Sequence, residues 1–232
     1  TVERGGGKSL TAAAGVWDDV DAALYVHPEW IDTVWQASLW MRRDTFVVNG
    51  TRTLRDDVAQ APVDAIEVLV RAAADFSRTE LMIERLALDG DVEEGTGLVL
   101  TGAILCFGDD ESAVERTALT VRSALPGADW RAGRALPAIR PDATVTAAVA
   151  AAFDAVGRGF EPDPPALPFA TDFGAISRRV PAALIGVGRP AGWAFHTDEG
   201  AAQFASAAGV EVAADMAAVL ALATVRLSES AT

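Results

Sequence analysis

Apolar and polar positions along this chain switch between an alternating and a helical period, and the switches mark out its elements. Ser9–Ala14 is a short helix candidate behind a run of glycines. Ala22-Ala23-Leu24-Tyr25-Val26 reads as a short strand that stops at His27-Pro28. From Thr33 to Val48 apolar side chains alternate imperfectly through Val34, Ala37, Leu39, Met41 and Val47, which predicts a long strand closed by the turn Asn49-Gly50. Pro62 opens a helix to about Phe76, with Ile66, Leu69, Val70 and Ala73 on one stripe. Strands are expected over Glu80–Leu88 and Gly97–Phe107, either side of Asp89-Gly90-Asp91. Asp110 or Ser112 caps a following helix that Pro126 ends. An alanine-rich helix is predicted from Thr144 to Val156, and a short one from Thr171 to Arg179. Ala182–Gly188 reads as a buried strand leading into a glycine-containing loop. Gly200–Arg226 is a long terminal helix with a break expected near Gly209.

This order implies an α/β protein with a second, α+β element inside it. The first and last thirds carry short buried strands among helices, while the middle carries antiparallel strands with two helices. The expected division is a core over residues 1–33, an inserted satellite over 34–130, and the rest of the core over 131–232.

Composition narrows the function classes. Half of the 232 residues are hydrophobic, so the chain has material for a core. The formal charge is −14 with a pI near 4.5, and the densest basic stretch, Arg131 to Arg140, holds three arginines, which argues against a nucleic-acid partner. Apolar runs short of 18 residues argue against a membrane span, and a soluble, cytoplasmic protein is expected. Cys106 is the single cysteine and sits in Ala103-Ile104-Leu105-Cys106-Phe107, so a buried structural role is expected rather than a nucleophile.

Candidate chemistry gathers at strand exits. The run ending Gly7-Lys8-Ser9 fails as a phosphate loop, because Val2 stands where that motif needs its first glycine. The serines show no nucleophile elbow. His27 ends one apolar strand, and His196 follows another strand and a glycine-containing loop. With Glu3 in a third loop they form an imidazole and carboxylate set suited to zinc, manganese or cobalt; read singly, each histidine is more often a hydrogen-bonded structural residue than a ligand. Asp172 is either a substrate-loop residue or a helix cap. Arg42 and Arg43 are strand neighbours, so one of them faces outward, where it meets either a substrate carboxylate or a surface partner.

Glu3-Arg4-Gly5-Gly6-Gly7-Lys8, Asp18-Asp19-Val20-Asp21-Ala22-Ala23-Leu24-Tyr25-Val26-His27-Pro28, Ala170-Thr171-Asp172-Phe173-Gly174-Ala175-Ile176-Ser177 and His196-Thr197, in that order, resemble the M20 metallopeptidase and amidohydrolase family. The similarity is to its amidohydrolase branch, with the aminobenzoyl-glutamate utilisation proteins and related dipeptidases. It implies a partial metallopeptidase-like catalytic core with an inserted ferredoxin-like satellite that often mediates dimerisation. It also implies a metal-dependent hydrolase acting on the amide bond of an N-acyl or aminoacyl amino acid. By the resemblance, Glu3, His27 and His196 are metal ligands, with Zn2+, or Mn2+ or Co2+, as the cofactor. A small amide or dipeptide is the expected substrate, and a homodimer through the satellite is the expected assembly.

The chain departs from that pattern at defined positions. Val2 matches the general-base glutamate and cannot accept a proton, so no catalytic residue is assigned. The upstream His-x-Asp segment is missing, and the opening glycine run without an initiator methionine reads as a chain lacking the first part of the catalytic domain. After Gly50 the stretch Thr51-Arg52-Thr53-Leu54-Arg55 has no histidine where the family often has one. A lost base commonly costs about 10² to 10⁴ in rate. The alternative reading is therefore an inactive homologue that serves as a dimerisation or binding module.

Overall fold

A computed structural model describes residues 7–50, 60–90, 97–169, 171–189, 192–194 and 197–230. The chain begins with helix α1 (Gly7–Ala13), strands β1 (Ala23–Pro28) and β2 (Trp40–Asn49), and helix α2 (Gln60–Ala74). Strands β3 (Leu81–Asp89) and β4 (Val99–Gly108), helix α3 (Glu111–Ala124) and the short strands β5 (Asp129–Arg131) and β6 (Ala135–Leu136) follow. Helices α4 (Ala143–Ala155) and α5 (Phe173–Ile176), strand β7 (Ala182–Val187), and helices α6 (Asp198–Ala205) and α7 (Ala207–Ser230) complete it. These elements fall into two units, one of Thr1–Ser38, Ile139–Leu167 and Thr171–Thr232, the other of Leu39–Ala138 and Pro168–Ala170.

In the first unit β1 and β7 pair in parallel, with His27 opposite Gly186. Every residue of β7 is buried, as expected for a strand covered on both faces. Its Ile185 and Val187 join Val149, Ala152 and Phe153 of α4 and Met216, Val219 and Ala223 of α7 in one core. The last three recur at helical spacing, so α7 meets the core along one stripe. The α7 span Ala207–Glu229 is long and apolar enough to cross a bilayer by length and composition, which the sequence reading did not anticipate because it counted uninterrupted runs. The helix break falls at Ser206 rather than near Gly209. Ser206 has extended backbone (ψ 161°), which ends α6, and its Oγ accepts from Gly209 N at 3.2 Å, which caps α7.

The expected strand from Thr33 begins only at Trp40, because residues 33–38 find partners in the first unit. Thr33 N donates to Gly186 O at 3.0 Å, and Ile139 N donates to Ser38 Oγ at 3.0 Å. The first border accordingly lies after Ser38 and the second after Ala138.

The second unit is an antiparallel sheet in the order β3-β4-β2-β5, with β6 on the far end of β2. Its element order, strand-helix-strand-strand-helix-strand, gives the ferredoxin-like arrangement. Phe46, Val48, Leu81, Leu100, Ile104 and Cys106 on one sheet face pack with Ala65 and Leu69 of α2 and Val114, Ala118 and Val121 of α3. Asp110 caps α3 by accepting from Ala113 N at 2.7 Å. Gly102 is required opposite Phe46, since a Cβ there would lie 2.2 Å from the ring.

One ion cluster sits within that apolar layer. Asp44 is fully buried and accepts from Arg42 Nε at 2.7 Å, Arg122 Nε at 2.9 Å and Gly133 N at 2.8 Å. Arg42 also donates to Glu115. Arg42 thus faces inward and Arg43 outward, where Arg43 Nε pairs with Glu84 at 2.6 Å.

Candidate functional site

The parallel pairing of β1 with β7 brings a histidine and a buried carboxylate together at the end of β1. The chain turns back over β7 just after Pro28, with Glu29 N donating to Val187 O at 2.8 Å. Gly186 makes that close return possible, because a Cβ there would meet Thr33 Oγ1 at 2.4 Å and Glu29 Cγ at 2.9 Å. Gly186 N donates to Thr33 Oγ1 at 3.0 Å, which fixes the returning segment on the strand.

His27 Nδ1 lies 2.9 Å from Glu29 Oε1. The Glu29 side chain is 8% exposed and that of His27 25%. An ionised carboxylate only accepts, so Nδ1 carries the proton and Nε2 is the basic nitrogen of the neutral ring. A buried carboxylate on one ring nitrogen is the arrangement that sets tautomer and orientation in metal-ligating histidines. The pair also suits a purely structural histidine, as the sequence reading allowed.

The inward-running side of the site is a connected series of side chains. Tyr25 stands two residues before His27, with ring centroids 6.0 Å apart, and packs on Phe173 at 5.2 Å. Lys8 Nζ lies 5.4 Å over the Tyr25 ring and 2.6 Å from Asp172 Oδ1. Lys8 N donates to Asp172 Oδ2 at 2.8 Å. Asp172 is therefore not a cap of α5: its backbone is already helical (φ −66°, ψ −2°), and its carboxylate makes no bond to that helix. It serves the first turn of α1 instead, where unsatisfied N–H groups and the helix dipole favour an anion.

Of the three expected metal ligands, the structure places His27 alone; Glu3 and His196 lie outside the described residues, as does Val2. Among the described residues no group of three or more His, Cys, Asp or Glu side chains is arranged to hold a metal ion. Glu29, Tyr25 and Lys8 were missed by sequence reasoning. Glu29 had a usable signal, since residues two apart on extended chain share a face. Cys106 is fully buried, and burial, then the nearby Asp44 charge, pushes its thiol up to about 12, which removes it as a nucleophile.

No protein-family model and no curated protein matches this chain. Solved structures do. A hydantoinase/carbamoylase family amidase from Burkholderia vietnamiensis matches with a TM-score of 0.66 at 15% identity, over 90% of this chain and 54% of that one. AtUAH in complex with (S)-hydroxyglycine matches with a TM-score of 0.67 at 14% identity, again over 90% and 54%. The Bacillus subtilis protein YXEP, described as a dinuclear metal binding peptidase from the M20 family, matches at 0.54 and 18% identity, over 93% and 61%. The chain has an M20 amidohydrolase-like fold and spans about half the length of the amidase structures it matches.

Proposed function

We propose that this chain is part of a metal-dependent amidohydrolase that cleaves the amide bond of an N-acyl or aminoacyl amino acid. The carrying observation is the His27–Glu29 pair at the carboxyl end of β1, on a fold shared with amidases and an M20 peptidase. The donor chemistry fits a divalent transition metal, zinc first and manganese or cobalt after it. A metal of this kind, when bound, lowers the pKa of a coordinated water and polarises the amide carbonyl. His27 would ligate through Nε2, with Glu3 and His196 as further ligands. Glu29 holds the His27 tautomer, and Asp172 with Lys8 pins the start of α1, the helix that follows Glu3 in the sequence. The reading carries with it a small amide or dipeptide substrate and a homodimer formed through the second unit.

A second reading has its own support. Val2 stands at the position of the general base, and the stretch after Gly50 lacks histidine, so a catalytically inactive homologue that binds or dimerises fits those positions better. One experiment separates the readings. The purified chain is dialysed and its transition-metal content read by elemental mass spectrometry beside His27→Ala, then both are assayed on N-acyl amino acids. Retained metal that His27→Ala loses, with measurable hydrolysis, supports the enzyme. Retained metal without hydrolysis supports the inactive homologue, and protein that cannot be loaded overturns metal dependence.

A further inference from the structure

The sheet face of the second unit that points away from α2 and α3 carries a cationic cleft in a chain whose net charge is −14. Its geometry follows from register. Thr45 of β2 pairs with Ala103 of β4 on one side and Arg131 of β5 on the other, and Ala103 pairs in turn with Arg85 of β3. One row across four strands therefore reads Arg85, Ala103, Thr45, Arg131. Two small residues form the floor and an arginine stands at each end. Three strand spacings separate the end Cα atoms by about 14 Å. Arg43, two residues before Thr45 on β2, lines the same cleft, whose volume is about 400 Å³.

The two end arginines differ from Arg43 in their bonding. Arg43 is neutralised by Glu84 at 2.6 Å. Neither the Arg85 nor the Arg131 side chain has a hydrogen bond or ion pair among the described residues. A β-bulge between Ile83 and Arg85 produces this arrangement. The extra residue lets Glu84 take Arg43 while Arg85 remains directed at the row, the kind of re-aiming for which bulges are used. Asp129, on the same sheet face as Arg131, is the single acidic residue lining the cleft among the described residues. With Arg43 neutralised by Glu84, Arg85 and Arg131 against one aspartate leave the cleft cationic, and each of their guanidinium groups presents a fork that matches a carboxylate.

We propose that this cleft binds a small organic dicarboxylate, with one carboxylate held by Arg85, the other by Arg131, and the carbon chain lying over Ala103 and Thr45. An acid with a carboxylate at each end gives each guanidinium its own bidentate partner, whereas a single compact anion would need both side chains to bend in over the row and share it. The site is built wholly from the second unit and does not depend on His27.

The test is isothermal titration of the purified chain at low ionic strength with succinate, glutarate, adipate and pimelate, and with inorganic phosphate and acetate. One acid of the series should bind best, at one site per chain, with phosphate and acetate at least tenfold weaker. Arg85→Gln and Arg131→Gln, both at exposed positions, should each weaken that acid at least tenfold with unchanged circular dichroism. His27→Ala should leave it unchanged, which separates this site from the proposed amidohydrolase centre. Absence of saturable binding, equal affinity for phosphate, or affinity indifferent to Arg85→Gln and Arg131→Gln would overturn the proposal.

Discussion

Asp44 is the position where a single atom group decides the stability of the second unit. Its carboxylate has no exposure and accepts from Arg42, Arg122 and the Gly133 backbone. Asp44→Ala removes the acceptor and leaves the Arg42 guanidinium, only 9% exposed, with Glu115 at the rim as its remaining ion-pair partner among the described residues. Breaking a buried ion cluster at one member costs about 3–5 kcal/mol, because the uncompensated charge remains inside. At 1.4 kcal/mol per factor of ten, that is a roughly 10² to 10⁴-fold rise in the open population. Because the chain has two units, a single melting midpoint would blur the effect, so the assay is amide hydrogen exchange read peptide by peptide. Peptides from β2 and β4 should exchange faster by that factor, while β7 peptides stay within about threefold of wild type. A second variant guards against a trivial loss of folding. Replacing the cluster together, as Arg42→Met, Asp44→Leu and Arg122→Met, should return β2 and β4 protection to within about tenfold of wild type, since apolar replacement of buried ion clusters is often neutral. Asp44→Ala exchange within threefold of wild type in β2 and β4 would refute the reasoning.

Three further outcomes follow from the geometry. Gly186→Ala should destabilise the first unit by about 1–3 kcal/mol, because its Cβ would stand 2.4 Å from Thr33 Oγ1; urea unfolding followed by β7 exchange checks it, and a neutral result would mean that the return after Pro28 is not tightly fitted. Glu29→Gln should weaken metal retention about 10 to 100-fold with the fold intact, measured by competition with a chelating dye; unchanged affinity would remove Glu29 as the residue that orients His27. Cys106 sets a pH dependence. Its folded-state thiol is pushed up to about 12 from an ordinary value near 9, so the unfolded chain releases the proton first. The stabilising difference is complete below pH 9 and is lost as pH rises from there toward 12. Urea midpoints from pH 8.5 to 10.5 should therefore fall more steeply for wild type than for Cys106→Ala, and parallel falls would contradict the assignment.

What the sequence disclosed and what it withheld divide along one physical line. Periodicity reports which face of an element is buried, so α2, α3, β3, β4 and β7 lie within a residue or two of their expected places. The error at Thr33–Ser38 is of another kind. Those residues alternate acceptably, but their backbone groups bond to Gly186 and Leu167 and the Ser38 hydroxyl accepts from Ile139 N, and no local pattern encodes a partner more than 100 residues away. The same reasoning explains the site. His27 was visible because a lone histidine after an apolar strand is a local signal, and Glu29 was readable from the two-residue spacing. The Lys8–Asp172 contact was not, since it joins the first turn of α1 to the residue before α5, which only the tertiary fold brings together. Arg42 and Asp44 show the limit from the opposite side. Charged side chains at alternate positions read as a solvated strand face, yet here they occupy the buried one, because Arg122 and Glu115 of α3 arrive from above to complete the pairing. A buried ion cluster consequently looks, in sequence, like an exposed surface, and the open face beside it holds the arginines that do reach solvent.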